Sequence, residues 1–221
     1  MFCLEGDGNH LTWAVSGNAE IRTPDDREAA VDINAEVGSS ARLFLRAGSI
    51  SDFNTFVNAI GRRVNDAMET ARTAGEFSSY PVESDGEIFR LFIQGYFNGR
   101  PGQAVRRFWH KNQVLQETED TTNCDALQGR YFTGSKKVFE ILSDDNDRRL
   151  SAYKVGRPID TLSGYVEAAK AYLRAHGDEE ALQIDNSGCR AVGGHIQIAT
   201  ITQDYGVQWV AGFAPIDETR Y

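Results

Sequence analysis

The sequence contains little cysteine and no long apolar run. Only three of the 221 residues are cysteine, and they stand far apart, which argues against a disulfide framework and against a zinc site. Isolated cysteines of this kind favour a reducing, cytoplasmic location. No run approaches the roughly 18 apolar residues that a membrane helix needs, so we expect no membrane span.

Basic charge is also scarce. The chain has 23 lysines and arginines against 32 acidic residues, a net charge of -9. Proteins that bind nucleic acid usually carry a basic patch or stripe, whereas here the paired arginines at 62–63 and 106–107 are isolated among acidic residues. We therefore expect no nucleic-acid partner. The first 13 residues lack the basic and apolar regions of a signal peptide.

Four segments have the apolar periodicity of helices. Hydrophobic residues make up 41% of the chain, enough for a real core, and the length suits one domain over residues 1–221 or at most two small ones. The strongest helical pattern covers 51–74, with Ser51 as its N-cap and Gly75 as its stop. The other helices are predicted at about 34–45, from Ser135 onward, and at about 161–176 after an Asp160 cap.

Apolar stretches between these helices predict strands. The predicted ranges are 11–15, 87–97, 103–110, from Val114 onward, 129–133, 196–202 and 207–211. Asn98–Gly99 indicates a tight hairpin turn, and the polar stretch 20–30 is predicted as a loop. The strand 196–202 is apolar on both parities, which predicts burial on both faces. Two antiparallel sheets packed face to face with helices outside satisfy this pattern, so the expected fold class is α+β, a four-layer α/β/β/α sandwich.

Four motifs in this order carry a family resemblance. They are HLTWAVSG at 10–17, RLFIQGYFNGRPG at 90–102, YFTGS at 131–135 and VGGHIQIATITQDYGVQWV at 192–210. The order resembles that of the proteasome-type N-terminal-nucleophile (Ntn) hydrolases, which cleave peptide or amide bonds. Residues 18–50 match poorly and are a candidate insertion.

The resemblance implies an active site around two turns. The expected supporting residues are Ser135 with its neighbours Thr133 and Gly134, and the pair Gly193 and Gly194 ahead of the closing strand. Glycine lacks Cβ and permits close backbone approach to a reacting centre. Ser135 also has a second interpretation, as the N-cap of the helix that follows it.

The nucleophile that the family requires is not found. Family members begin their mature chain with Thr, Ser or Cys, whose own α-amine acts as base, on a hairpin ahead of the region like 10–17. Cys3 is the only upstream candidate, and exposing it would need cleavage after Phe2. The family's acidic and serine helpers fall here on Cys189 and Val192. We expect an N-terminally incomplete or degenerate member that is inactive as written.

The other candidate sites are weaker. No zinc-protease motif, phosphate loop or serine-hydrolase elbow is present, and no metal or cofactor is expected. Asp144, Asp145 and Asp147 are interpreted as a solvated loop rather than a cation site. His176 is expected to favour the cationic form because it ends a helix. The alternative function is a non-catalytic ring or assembly subunit, and for both functions we expect self-association into a ring or dimer, with peptide substrate for the first.

Overall fold

The computed structural model divides the chain into two compact units. It describes residues 2–6, 8–23, 28–48, 50–77, 79–80, 86–112, 114–122, 135–156, 159, 161–190 and 197–214. The first unit is formed by Met1–Gly129 with Ile201–Val207, and the second by Arg130–Thr200 with Gln208–Tyr221. The single domain over 1–221 stays a prediction.

The first unit is built on an antiparallel sheet. Its elements are β1 (Phe2–Gly6), β2 (Asn9–Gly17), β3 (Glu20–Arg22), β4 (Ala29–Asp32), α1 (Ile33–Ala47), α2 (Phe53–Thr73), β5 (Gly86–Phe97), β6 (Arg100–Lys111) and β7 (Val114–Thr122). The main sheet has five strands in the order β1-β2-β5-β6-β7, and β3 pairs with β4 separately. These antiparallel strands confirm the coarse α+β prediction.

Both helices of this unit pack on the same sheet face. Residues from α1, α2 and alternate positions of β2, β5 and β6 form one hydrophobic core. Close approach depends on small residues: a Cβ on Gly102 of β6 would lie 2.5 Å from the ring of Phe53. The core therefore fixes α2 directly above the strands that follow it in the chain.

Local chemistry explains the ends of α1 and α2. Asp32 and Asp52 cap them by accepting backbone hydrogen bonds from Ala35 and Thr55 at 3.0 and 2.8 Å. The prediction of Ser51 as the cap of α2 is wrong by one residue, and the carboxylate of Asp52 takes that place because an aspartate oxygen caps equally well. Gly75 ends the helix with φ 79°, as predicted.

The polar stretch 20–30 is not a simple loop, because its ends form β3 and β4. Ile21 and Val31 are 1% and 7% exposed and belong to the core. One buried residue in each very short strand leaves too little alternation for the sequence pattern to reveal. The tight turn at Asn98–Gly99 is confirmed by φ values of 50° and 73°.

The second unit is mainly helical. It contains α3 (Lys136–Ser143), a 3-10 turn (Ser151–Tyr153), α4 (Leu162–Ala175), α5 (Glu179–Ile184) and α6 (Asn186–Arg190). Its core consists of Val138, Ile141, Leu150, Ala175, Ala181 and Cys189. The predicted caps are half right: Ser135 caps α3, whereas Thr161 rather than Asp160 caps α4 through Gly164 N–H. The short helices α5 and α6 escape prediction because neither spans two full turns.

The closing hairpin is formed by β8 (Ala199–Thr202) and β9 (Gly206–Trp209). All four residues of β8 are half-buried, so the prediction of a strand buried on both faces is wrong for this range. The apolar parity reflects a two-stranded sheet with partial cover on each side. In the first unit, Glu5 Oε1 accepts a 2.7 Å hydrogen bond from Val207 N–H near the hairpin turn. None of the helices in the described ranges is long and apolar enough to cross a membrane.

Candidate functional site

Ser135 lies at the centre of a buried polar network in the second unit. Its side chain is the N-cap of α3, where Oγ accepts a hydrogen bond from Val138 N–H at 3.1 Å. The same Oγ donates to Asp185 Oδ2 at 2.7 Å. Ser135 is 0% exposed. The network therefore joins the start of α3 to the connection between α5 and α6.

His176 holds the backbone of Ser135 rather than its hydroxyl. Ser135 N–H donates to His176 Nε2 at 3.1 Å, and His176 Nδ1 lies 2.8 Å from the carbonyl oxygen of Tyr172. A carbonyl oxygen only accepts, so Nδ1 is the donor toward Tyr172, while Nε2 accepts from the Ser135 backbone. The second nitrogen thus serves as the acceptor for a buried N–H, and the charge of His176 stays a prediction.

Serine, histidine and aspartate therefore meet here without forming a catalytic triad. In a triad the histidine accepts the serine hydroxyl proton and the aspartate orients the histidine. Here the hydroxyl of Ser135 donates directly to Asp185, and His176 makes no hydrogen bond to it. Among the described residues the acceptor of the Ser135 hydroxyl proton is a carboxylate and not a histidine, and the burial of Ser135 closes its hydroxyl to a substrate. This geometry favours a positioning role.

Asp185 is the member of this network that sequence reasoning missed. Its Oδ1 accepts from Gly188 N–H at 3.1 Å and from Ser187 Oγ at 3.2 Å. A Cβ on Gly188 would lie 2.5 Å from Asp185 Oδ2 and 3.0 Å from the Cα of Ser135, so only glycine fits. The run Asp-Asn-Ser-Gly at 185–188 is a typical capping sequence and was the available signal.

Electrostatics agree with an ionised Asp185. The hydrogen bond from Ser135, followed by that from Gly188 N–H, holds the pKa of the Asp185 carboxyl below its ordinary value. Cys189, where the resemblance placed an acidic helper, is 1% exposed and donates to the carbonyl oxygen of Ala181. Burial, and then the charge of Asp185, raise the pKa of the Cys189 thiol. A protonated, buried thiol has little reactivity.

The remaining predicted site residues lie outside the described residues. Thr133, Gly134, Gly193 and Gly194 belong to this group, so the expected meeting of the two turns stays a prediction. Cys3 is described, and it is exposed on β1. Partial desolvation, then Glu5, raise the pKa of its thiol, which disfavours the reactive thiolate.

One carboxylate of the acidic run after α3, that of Asp147, is paired with a cation of the protein. Arg149 binds Asp147 through both carboxylate oxygens, and Lys154 Nζ donates to the carbonyl oxygens of Ile141 and Asp144. A cleft of about 410 Å³ is bordered by Asp144, Asp147, Arg149 and Lys137. In the described part of the chain, no group of three or more His, Cys, Asp or Glu side chains is arranged to hold a metal ion.

Comparison of the chain with family models, with curated proteins and with solved structures gives no match.

Proposed function

We propose that this chain is a relative of the proteasome-type Ntn hydrolases. The observation that carries the proposal is the order of its elements: a hairpin, two helices on one sheet face, a three-stranded meander, a group of helices and a closing hairpin. The four-layer α/β/β/α sandwich is part of the same proposal, and so is the cytoplasmic location that the isolated cysteines favour.

We further propose that the polypeptide as written does not hydrolyse peptides or amides. Three observations support this. Ser135 is buried, and its hydroxyl donates to Asp185 rather than to a histidine. The pKa of the Cys3 thiol is raised, and Cys189 is buried as a hydrogen-bond donor. Nucleophilic catalysis needs an accessible, activated group, and none of these three side chains meets both conditions.

A positioning role for the Ser135 turn follows from the same proposal. In the family pattern an Asp and a Ser stand ahead of the closing Gly-Gly pair, and these two positions are Cys189 and Val192 here. Asp185, four residues before Cys189, supplies the carboxylate to which the Ser135 hydroxyl donates at 2.7 Å. A carboxylate at this shifted position fits a chain that keeps the Ser135 turn of the family and has lost its hydrolytic activity.

Turnover of fluorogenic peptides tests the catalytic part of the proposal. The expected result is no release of fluorophore by the 221-residue chain, by Cys3→Ala or by Ser135→Ala. Each variant serves as the matched background for the others, because the two positions lie in different units. Turnover that is lost in Cys3→Ala and kept in Ser135→Ala would contradict the proposal and identify Cys3 as the nucleophile.

A non-catalytic assembly subunit is the second candidate, and α4 is the observation that favours it. Only Ala175 of its 14 residues is buried, while Leu162 and Tyr165 are 53% and 45% exposed. Exposed apolar residues at helical spacing are typical of surfaces that contact a partner. Native mass spectrometry should then show a multimer that Tyr165→Asp dissociates, with Leu43→Asp on α1 as control. A monomer in the unaltered chain would reject this candidate.

A further inference from the structure

The turn between β5 and β6 contains the one Asn-Gly pair of the sequence. Asn98 and Gly99 have φ values of 50° and 73°, which identify a type I′ turn between paired strands. The Asn98 side chain is exposed. Asparagine followed by glycine is the pair in which a backbone nitrogen most easily reaches the side-chain amide carbon, because glycine has no Cβ to obstruct it.

We propose that Asn98 is a site of spontaneous deamidation whose rate is set by opening of this turn. The backbone nitrogen of Gly99 attacks Cγ of Asn98, a new C–N bond closes a succinimide ring, and the Cγ–Nδ2 bond breaks. Nδ2 leaves as ammonia and takes up the proton that Gly99 N–H loses. One water molecule then opens the ring at either carbonyl, which leaves aspartate or isoaspartate at 98.

Three hydrogen bonds keep the closed turn from reacting. Gly99 N–H donates to the carbonyl oxygen of Gly8 at 3.3 Å, so the attacking nitrogen is engaged. Asn98 N–H donates to Asn9 Oδ1 at 2.9 Å, and Asn98 Nδ2 donates to the carbonyl oxygen of Ser51 at 3.2 Å. The departing amide is thus held away from Gly99. Reaction requires the local opening that exposed turns undergo more readily than core strands.

The product cannot restore these contacts. A carboxylate at 98 has no N–H for the Ser51 carbonyl and places an oxygen against an oxygen. The two-residue turn fixes the register of β5 and β6, and isoaspartate adds a methylene to the backbone of that turn. Deamidation therefore releases this turn from the segment that leads into α2.

Peptide mapping by mass spectrometry after mildly alkaline incubation tests the site, with isoaspartate detected by enzymatic methylation. We expect aspartate and isoaspartate at 98 in the native chain, formed more slowly than in a synthetic peptide of residues 96–102. Asn112 is the internal control, because it has the same left-handed φ of 51° but precedes glutamine. An unmodified Asn98 when the peptide has been fully converted would overturn the proposal.

Asn9→Ala tests the control by turn opening. Loss of one hydrogen bond to the turn should raise the deamidation rate about fivefold. An unchanged rate in a folded Asn9→Ala variant would overturn this part of the proposal. If that variant does not fold, hydrogen exchange at the Gly99 amide of the unaltered chain replaces it. Low denaturant should then raise exchange and deamidation together, and a rise in exchange alone would be the contrary result.

Discussion

Ser135 and Asp185, which lie 50 residues apart in the chain, are joined by a 2.7 Å hydrogen bond from Oγ to Oδ2. The serine caps α3 and the aspartate accepts from the backbone of Gly188 near the start of α6. One short contact therefore fixes two helix ends in the second unit. The same contact engages the Ser135 hydroxyl, which would be the nucleophile if Ser135, His176 and Asp185 formed a catalytic triad.

Removal of the charge at Asp185 should change stability in acid. The native pKa of Asp185 is lowered, so the unfolded state binds its proton first and stability is lost as pH falls below about 4. Asp185→Asn should be less stable than the unaltered chain near neutral pH and should lose less stability on acidification. Urea unfolding across this pH range measures both.

Asp204→Asn is the control for that experiment, because Asp204 is exposed in the turn between β8 and β9. It should leave the acid profile unchanged. Equal acid profiles for Asp185→Asn and the unaltered chain would contradict the assignment of a stabilising carboxylate to Asp185.

Removing one partner of the buried ion pair in the first unit should lower the free energy of unfolding more than replacing both partners with apolar residues. Arg106 Nε lies 2.7 Å from Glu117 Oε1, and the two side chains are 7% and 17% exposed. Arg106→Met leaves a poorly solvated carboxylate and should lower the free energy of unfolding by about 3–5 kcal/mol. Glu117→Leu in the same chain should recover a large part of this loss. A double-mutant cycle measures the coupling, and strictly additive losses would argue against it.

Gly61 of α2 should not tolerate a side chain. Its Cβ would lie 2.2 Å from Glu117 Oε1 and 3.0 Å from Arg106 Nε. Gly61→Ala should therefore cost about 1–3 kcal/mol despite the better helix propensity of alanine, because the pair beneath must shift. Gly156→Ala is the control, since a Cβ there meets no atom of the described residues within 4 Å and should change stability by less than about 0.5 kcal/mol. Thermal unfolding distinguishes the two results, and a stabilised Gly61→Ala would refute the close approach.

Tyr172 should give the protein an alkaline limit. Burial, and then the neighbouring Cys189, raise the pKa of Tyr172 to about 12. Unfolded tyrosine ionises near about pH 10, so the unfolded state loses its proton first and stability should fall between about pH 10 and 12. Tyr172→Phe should remove this share of the loss. Tyr165→Phe, at a residue 45% exposed, should not.

The readout for this prediction is the stability of each variant between about pH 10 and 12, with tyrosine ionisation monitored by phenolate absorbance. The same alkaline loss in both variants would show that Tyr172 carries none of it.

Helices and tight turns were predictable because their signals lie within a few neighbouring residues. The apolar spacing of α2, the Asn98–Gly99 turn and the cap at Ser135 all appear where the pattern indicates them. The caps at Asp52 and Thr161 differ from prediction by one residue, because adjacent polar residues compete for the same backbone N–H groups. The small strands β3 and β4 carry too few residues to show a period.

The sequence by itself determined the α+β class, the main helices and the hairpin turn, since periodicity and turn chemistry act over one or two turns of chain. Only the tertiary structure decided that Ser135 binds Asp185, that His176 accepts from the Ser135 N–H, and that Gly61 covers an ion pair. These contacts join residues far apart in sequence. Their geometry depends on how helices and strands pack, and no local pattern specifies which polar groups packing will bring together.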